Sequence, residues 1–305
     1  MKPTFSVIMP AWNRAYCIQD SIKSVLRQNH KHFEVVVYDA GSYDGTADAV
    51  KALDDPRIKV GVNPVNNGVN FSRNRAAEMA EADWLVLLDS DDQLTEDAFD
   101  IMLKDIATVD DDVAIILYGT KNIRTNKVMS HFEDGEKGFP SYDDWLGEQK
   151  MKGEFLIVVR REEFNDKMFR EDMVGFEKYF WLSIVKKKKA MVHNIVVRLY
   201  ELEDENRETK KILTPEYAAP RADSYRKFMK EYGEDLRRVN PKLYAYYMSV
   251  MAHLLLSSGE KKAGRLALKD AMKHDFGAKT LGMYSLSFLG QWPFHLATRV
   301  VRYFS

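Results

Sequence analysis

The chain opens on a mostly apolar run, Phe5 to Met9, closed by Pro10, the pattern of a buried strand. Ile18, Ile22, Val25 and Leu26 then recur at helical spacing. Phe33 to Tyr38 predicts a second strand. Asp44-Gly45-Thr46 precedes a helical stretch over Ala47 to Leu53, with Asp44 or Thr46 as its N-cap. Ile58 to Val60 is a weaker third strand, and Asn63 to Asn70, rich in asparagine with a proline and a glycine, has loop chemistry. Ser72 to Ala82 reads as a helix and Trp84 to Leu88 as the strongest strand of the chain. Val113 to Leu117 repeats the strand pattern after another helix. Strands alternating with helices predict a Rossmann-like α/β fold, a mainly parallel sheet with helices on both faces.

The pattern then changes. Lys121 to Trp145 is irregular and polar, Phe155 to Arg160 predicts a strand, Gly175 to Lys187 a helix running into four lysines, and Ile195 to Tyr200 a strand. Beyond Pro215 the strand signals fade. Helices are expected over Ala222 to Tyr232, Lys242 to Ser257 and Lys261 to His274, with a last one near the C-terminus. The expected division is residues 1–213 as an α/β domain and 214–305 as a helical region. A length of 305 residues suits one large domain plus a smaller one. With 45% hydrophobic and 30% charged residues the chain has the composition of a folded protein. A net charge of −1 supplies no positive field for nucleic acid. Cys17, the one cysteine, excludes a disulfide within the chain and reads as a small buried residue. The first apolar run is too short for a signal peptide, and no window of about 20 apolar residues predicts a spanning helix. A cytoplasmic location is therefore expected.

In sheets of this kind ligands bind outside the carboxyl ends of the strands. Those ends carry Trp12-Asn13-Arg14, then Asp39 with Gly41-Ser42, then Asp89-Ser90-Asp91-Asp92. Alternate residues at a strand end face one way, so Asp89 and Asp91 can converge on one ligand. Crowded carboxylates repel unless a cation sits between them, and oxygen ligands select a hard ion such as Mg²⁺ or Mn²⁺ bridging to phosphate. The plainer alternative is an acidic loop capping a helix that starts near Thr95. A calcium loop is excluded, because neither its glycine nor its closing glutamate falls at the required spacing.

Four motifs follow one another: Pro10-Ala11-Trp12-Asn13-Arg14; Asp39-Ala40-Gly41-Ser42-Tyr43-Asp44-Gly45-Thr46; Asn67-Gly68 with Ser72-Arg73-Asn74; and Leu88-Asp89-Ser90-Asp91-Asp92. Together they resemble the inverting family-2 glycosyltransferases with the GT-A fold, over about residues 4 to 200. The resemblance implies a nucleotide-sugar donor, often a UDP-sugar, a Mn²⁺ or Mg²⁺ cofactor, and a glycan or lipid-linked acceptor. It places Pro10 and Trp12 in the base and ribose pocket, where the family usually has tyrosine or phenylalanine for Trp12. It gives Asp39 a hydrogen bond from the base, although many members have a second aspartate where Ala40 stands. Asn67 and Arg73 would contact base or phosphate, and Asn13 and Ser90 complete the donor-binding set. Asp89 would touch the ribose and, with Asp91, the metal; Asp92 would lie close to donor or acceptor hydroxyls.

An inverting displacement also needs a base for the acceptor hydroxyl. The family's aspartate, in a Gly-Glu-Asp-like motif before an apolar helix, corresponds here to Glu177 in Gly175-Phe176-Glu177-Lys178-Tyr179. Glutamate is one methylene longer, and Phe176 stands where the usual preceding acid would be. Glu171-Asp172, just upstream, is the competing pair. Two other functions share parts of the pattern. A nucleotidyltransferase would carry a glycine-rich basic loop, which Pro10 to Tyr16 lacks. A non-catalytic sugar-nucleotide or glycan-binding protein on a transferase scaffold is kept open by Glu177 and opposed by the intact Asp89 and Asp91. Leu281 to Phe304 mixes aromatic and apolar residues with Arg299 and Arg302, a composition suited to a membrane interface, to packing on its own domain, or to a second subunit.

Overall fold

A computed structural model describes residues 2–164, 169–200 and 215–288, and resolves two compact units. The first holds residues 1–171 and 177–203. In it β1 (Phe5–Ala11), α1 (Ile18–Leu26), β2 (Phe33–Asp39), α2 (Thr46–Lys51), β3 (Ile58–Val62), α3 (Val69–Met79) and β4 (Trp84–Leu87) alternate as expected. There follow β5 (Gln93–Leu94), α4 (Ala98–Ile106), β6 (Val113–Asn122), β7 (Ser130–Phe132), β8 (Lys137–Gly138), α5 (Tyr142–Gly147), β9 (Met151–Gly153), β10 (Phe155–Arg160), α6 (Glu177–Val185) and β11 (Lys189–Tyr200).

Every residue of β1 is buried, because it runs between β2 and β4, parallel to both, with protein on each face. Phe5, Val7 and Met9 join Ile18, Ile22 and Val25 of α1 and Phe99 and Met102 of α4 in the main core. The intervening residues Ser6 and Ile8 face the other way, the side on which α3 packs against β1 and β2. Among the described residues the sheet has nine strands in the order β3-β2-β1-β4-β10-β6-β11-β5, with β8 paired to β11. β10 runs antiparallel between β4 and β6. The excursion after β6, in which β7 pairs with β9, brings the chain back beside β6 in the opposite direction. The stretch expected to be irregular, Lys121 to Trp145, thus contains β7, β8 and the start of α5.

The second unit holds residues 172–176 and 204–305. Its helices are α7 (Pro215–Val239), α8 (Pro241–Ser257), α9 (Lys261–His274) and α10 (Ala278–Leu286). Pro241 opens α8 behind Asn240, whose side chain accepts the Leu243 N–H at 3.1 Å. α8 and α9 close together at Gly264, where a Cβ would lie 2.7 Å from Leu256 Cγ. Residues 172–176 join these helices through a 2.9 Å bond from the Val174 N–H to Ser224 Oγ and an edge contact of Phe176 on Tyr225. The boundary expected near Leu213 and most of the aromatic tail, residues 289–304, lie outside the described residues.

Glu34 pins the amino-terminal edge of the sheet. Its side chain is buried and accepts from Ser6 Oγ, from the Glu81 N–H at 2.6 Å and from Lys59 Nζ at 2.7 Å. Burial works against its charge, yet these donors outweigh burial and hold the carboxyl below its ordinary 4.5. A depressed carboxyl contributes stability that is complete above the unfolded value and is lost as pH falls through the folded one. Glu34→Gln is therefore expected to cost about 1–3 kcal/mol near neutral pH. The difference in Tm from the unaltered protein should shrink as pH drops below 4.5. An equal difference at about pH 7 and about pH 3 would refute the assignment.

Candidate active site

Ala11 lies beside Asp39, and Asp39 beside Val62, so β1, β2 and β3 finish level at one edge of the sheet. Asn13 turns the chain away from β1 with φ 53°, a left-handed conformation that asparagine tolerates. Asp39, almost fully buried, accepts both the N–H (3.2 Å) and the hydroxyl (2.5 Å) of Ser42 through Oδ1. Ser42 Oγ accepts the Asn13 N–H at 2.7 Å, and Asn13 Oδ1 accepts the Tyr43 N–H at 3.2 Å. Gly41 sits inside this bend with φ 77°, and a Cβ there would lie 2.8 Å from the Asn63 carbonyl. Gly45 is the N-cap residue of α2, with φ 88°. Asp44 stands one residue further out and accepts from the Thr46 N–H and the Ala15 N–H, each at 3.0 Å. The two loops thereby form one stitched rim. Pro10 is buried in it, Trp12 is half-buried, and Asn67 stands exposed in the loop before α3.

The next strand end carries the acids. Leu88 still donates to the Ile8 carbonyl, and the Asp92 N–H returns to the Asp89 carbonyl at 3.1 Å, closing a tight turn. The buried Ser90 is fixed through its carbonyl, which accepts the Ser21 hydroxyl at 2.9 Å. Each carboxylate of the turn faces its own arginine. Arg73 reaches Asp89 at 3.1 Å, Arg14 reaches Asp91 at 3.7 Å, and Arg198 reaches Asp92 at 2.7 Å. Arg73 also donates to Glu177 Oε1 at 3.4 Å, which joins the first residue of α6 to the turn. Asp89 and Asp91 remain open to solvent, with side chains 42% and 30% exposed. Asp92, expected close to sugar hydroxyls, is instead enclosed against Arg198, its side chain 1% exposed.

Burial disfavours the charge of Asp89, but Arg73, Arg198 and Arg14 outweigh it and hold the carboxyl below the ordinary carboxylate range. At Asp92 burial wins: with Asp89 and Asp91 adding repulsion and only Arg198 opposing, its carboxyl is pushed well above that range. The approach of Arg198 Nε to Asp92 Oδ2 is close but not aligned as a linear hydrogen bond.

Arg73 owes its place to α3, in which the polar Asn70, Ser72 and Asn74 are buried. Asn74, wholly buried, donates to the Phe169 carbonyl (2.9 Å) and to Glu171 (2.8 Å), and accepts the Phe169 N–H (2.9 Å). Asn70 donates to the Arg170 carbonyl at 3.0 Å. Segment 169–171 is thus hydrogen-bonded to α3 as a neighbouring strand would be, and Glu171 is occupied by Asn74. Asp172 belongs to the helical unit, where Lys227 pairs with it at 2.8 Å. Of the three acids considered for the base, Glu177 is the one tied to the aspartate turn. Sequence reasoning left Arg198 and the clamp formed by Asn70 and Asn74 unassigned. An arginine inside the apolar run Val196-Val197-Arg198-Leu199-Tyr200 was the available signal for the first.

Among the described residues no three His, Cys, Asp or Glu side chains group so as to hold a metal by themselves. Two part-exposed carboxylates with open positions suit an ion that takes its remaining oxygens from a ligand's phosphates and from water, the habit of Mg²⁺ and Mn²⁺.

Residues 6–167 match the family model Glycosyl transferase family 2. A GalNAc(5)-diNAcBac-PP-undecaprenol β-1,3-glucosyltransferase of Campylobacter jejuni is 30% identical over 208 residues, 66% of this chain and 65% of that protein. The putative teichuronic acid biosynthesis glycosyltransferase TuaG of Bacillus subtilis is 38% identical over 105 residues, 34% of this chain and 42% of that protein. The chain therefore spans less than two thirds of the length of these relatives. In fold it is similar to TarS 1–349 of S. aureus, solved with UDP-GlcNAc, at a TM-score of 0.64 and 17% identity over 95% of this chain and 88% of that one. The mannosyltransferase PcManGT of Pyrobaculum calidifontis, solved with GDP-Man and Mn²⁺, gives a TM-score of 0.58 at 19% identity over 98% and 84%.

Replacing Asn74 by alanine would leave the Phe169 backbone groups unpaired inside the protein. Asn74→Ala is expected to lower the urea unfolding free energy by about 2–4 kcal/mol. A loss under about 0.5 kcal/mol, the range of neutral surface changes, would show that the clamp is not formed.

Proposed function

Because the chain belongs to glycosyl transferase family 2, we propose that it is an inverting transferase. In this reading it moves a sugar from a nucleoside-diphosphate donor, a UDP-sugar, to a hydroxyl of a glycan or lipid-linked acceptor. The observation that carries this reading is the linkage of Asp89, Arg73 and Glu177 at the carboxyl edge of the sheet. Pro10, Trp12, Asn13, Asp39 and Asn67 form the rim that takes the base and ribose, and an indole offers a large face for stacking. Asp91 and Asp89 would hold Mn²⁺ or Mg²⁺, which when bound neutralises charge on the departing diphosphate. Arg14 and Arg73 stand beside these acids and can follow the phosphates. Glu177 accepts the proton of the acceptor hydroxyl as its oxygen attacks the anomeric carbon opposite the leaving group. Arg73 holds Glu177 in place by its 3.4 Å contact. Asp92 acts from behind, as part of the turn itself.

Glu177→Gln is expected to lower turnover by about 10²–10⁴-fold, read as UDP release from UDP-sugars with undecaprenyl-diphosphate-linked acceptors. UDP binding in the presence of Mn²⁺ should survive, and unchanged turnover would remove Glu177 from the role. Calorimetry with UDP, GDP, CDP and dTDP, each with and without Mn²⁺, tests the donor site directly. Binding of one nucleotide that depends on metal and is lost in Asp91→Asn is the expected result; no binding of any would refute the transferase reading.

The helical unit is assigned to acceptor, membrane-surface or subunit contacts, with residues 1–213 as the donor-binding and catalytic domain. Among the described residues no helix is long and apolar enough to cross a membrane. α9 carries exposed Lys262, Leu266, Lys269 and Lys273 at helical spacing, and Phe276 and Phe288 are also exposed. Lysines around apolar side chains suit the surface of an anionic bilayer. Two curated relatives act, by their names, on undecaprenol-linked acceptors. The protein is expected to sediment with vesicles containing phosphatidylglycerol and not with neutral ones, and Leu266→Glu with Lys269→Glu should release it. Equal recovery with both vesicle types would count against the surface.

A further inference from the structure

Arg198 has a setting unlike that of the other two arginines. Arg14 and Arg73 pair with carboxylates that water reaches, whereas both members of the Arg198–Asp92 pair are enclosed, at 8% and 1% side-chain exposure. The guanidinium is fixed from three directions: Nε faces Asp92 Oδ2 at 2.7 Å, a terminal nitrogen donates to the Phe155 carbonyl at 3.3 Å, and its plane lies 5.1 Å from the centre of the Tyr200 ring. It is therefore closed to a diphosphate and available only to the protein.

Its placement is also built into the sheet. β11 pairs with β6 through register shifts between His193 and Val196 and again between Val196 and Arg198. Such bulges re-aim a side chain, commonly beside an active site. On its other edge β11 takes β5, the two residues that follow the acidic turn: Arg198 stands opposite Leu94 and Leu199 opposite Gln93, and the Thr95 N–H donates to the Val197 carbonyl at 2.9 Å. The exit of the turn is thus bonded to the strand that carries the arginine.

The geometry points to Arg198 as a positioning residue: by pairing with Asp92 on the buried side of the turn, it fixes the directions in which Asp89 and Asp91 leave the strand end. The inference rests on the reading of that turn as the donor and metal site. Arg198 touches no reacting atom; it acts through Asp92. Three carboxyl groups on four consecutive residues crowd the turn, and a guanidinium held behind it draws Asp92 inward without occupying the face that ligand needs.

Two measurements on Arg198→Met, Arg198→Lys, Asp92→Asn and the double variant Arg198→Met with Asp92→Asn test this. The first is hydrogen exchange of the amides of residues 88–95 in nucleotide-free protein. Exchange about tenfold faster in Arg198→Met, with other strands of the sheet unchanged, is expected. Unaltered exchange across 88–95 would overturn the inference. Arg198→Lys keeps the charge but lacks the planar fork that spans Asp92 and the Phe155 carbonyl, so it should restore thermal stability without restoring slow exchange, and it serves as the folded comparison. The second is the Mn²⁺ concentration that half-saturates UDP binding. It should rise about tenfold in Arg198→Met, with the double variant no worse, because residues acting as one unit are not additive. Additive losses would show that Arg198 acts independently of Asp92. If the unaltered protein bound no nucleotide at all, the proposed function would fall, while the exchange comparison would still decide whether Arg198 fixes the turn.

Discussion

The site is organised by repulsion among its own carboxylates. Asp89, Asp91 and Asp92 share one turn, and Glu177 is brought to it through Arg73. Unit charges about 4 Å apart interact by roughly 4 kcal/mol in surroundings of this kind, so such a cluster cannot persist without counter-charge. Arg14, Arg73 and Arg198 supply it, one to each member of the turn, drawn from three separate parts of the chain. The acids still outnumber these arginines by Glu177.

The sheet makes that arrangement possible. Placing β1 in the middle of a parallel set brings the ends of β3, β2, β1 and β4 to the same edge in spatial order, so the loops after β1 and β2 and the acidic turn are neighbours by construction. The antiparallel β10 separates β4 from β6 and lets β11 carry Arg198 to the turn from the far side of the sheet. At the opposite edge Glu34, Ser6 and Lys59 are occupied with one another and with backbone. Structural and functional polarity fall on opposite ends of the same strands.

Local pattern carried much of this into the sequence. Phe5 to Met9, Phe33 to Tyr38 and Phe155 to Arg160 are legible as strands because burial on both faces demands short runs that are mostly apolar. Asp89 and Asp91 are legible because acids at a strand end have few reasons to cluster. The direction of β10 was not legible, since an apolar run has no arrow; only the route of the preceding chain decides it. Asn70 reads as part of the loop before the helix and Asn74 as a helix residue with no role, because their partners lie 100 and 95 positions away. Asp92 was read as one more ligand-facing acid, since spacing alone does not reveal that an arginine far along the chain encloses it.

The contacts that complete the recess have a direction in time as well as in space. Arg73 meets Glu177 across 104 positions, and Asn74 meets Phe169 across 95, while Asp92 waits for Arg198 on the last strand of the sheet. Contacts so distant in sequence form late, after the loop between them has closed. On the ribosome, the acidic turn would emerge long before its innermost counter-charge. A nascent chain ending near residue 167, where the family model stops, would hold all the recognisable donor motifs without the arginine that encloses Asp92. The stretch that carries the motifs and the stretch that encloses the acidic turn are therefore different lengths of the same chain, and synthesis must run to β11 before the second is complete.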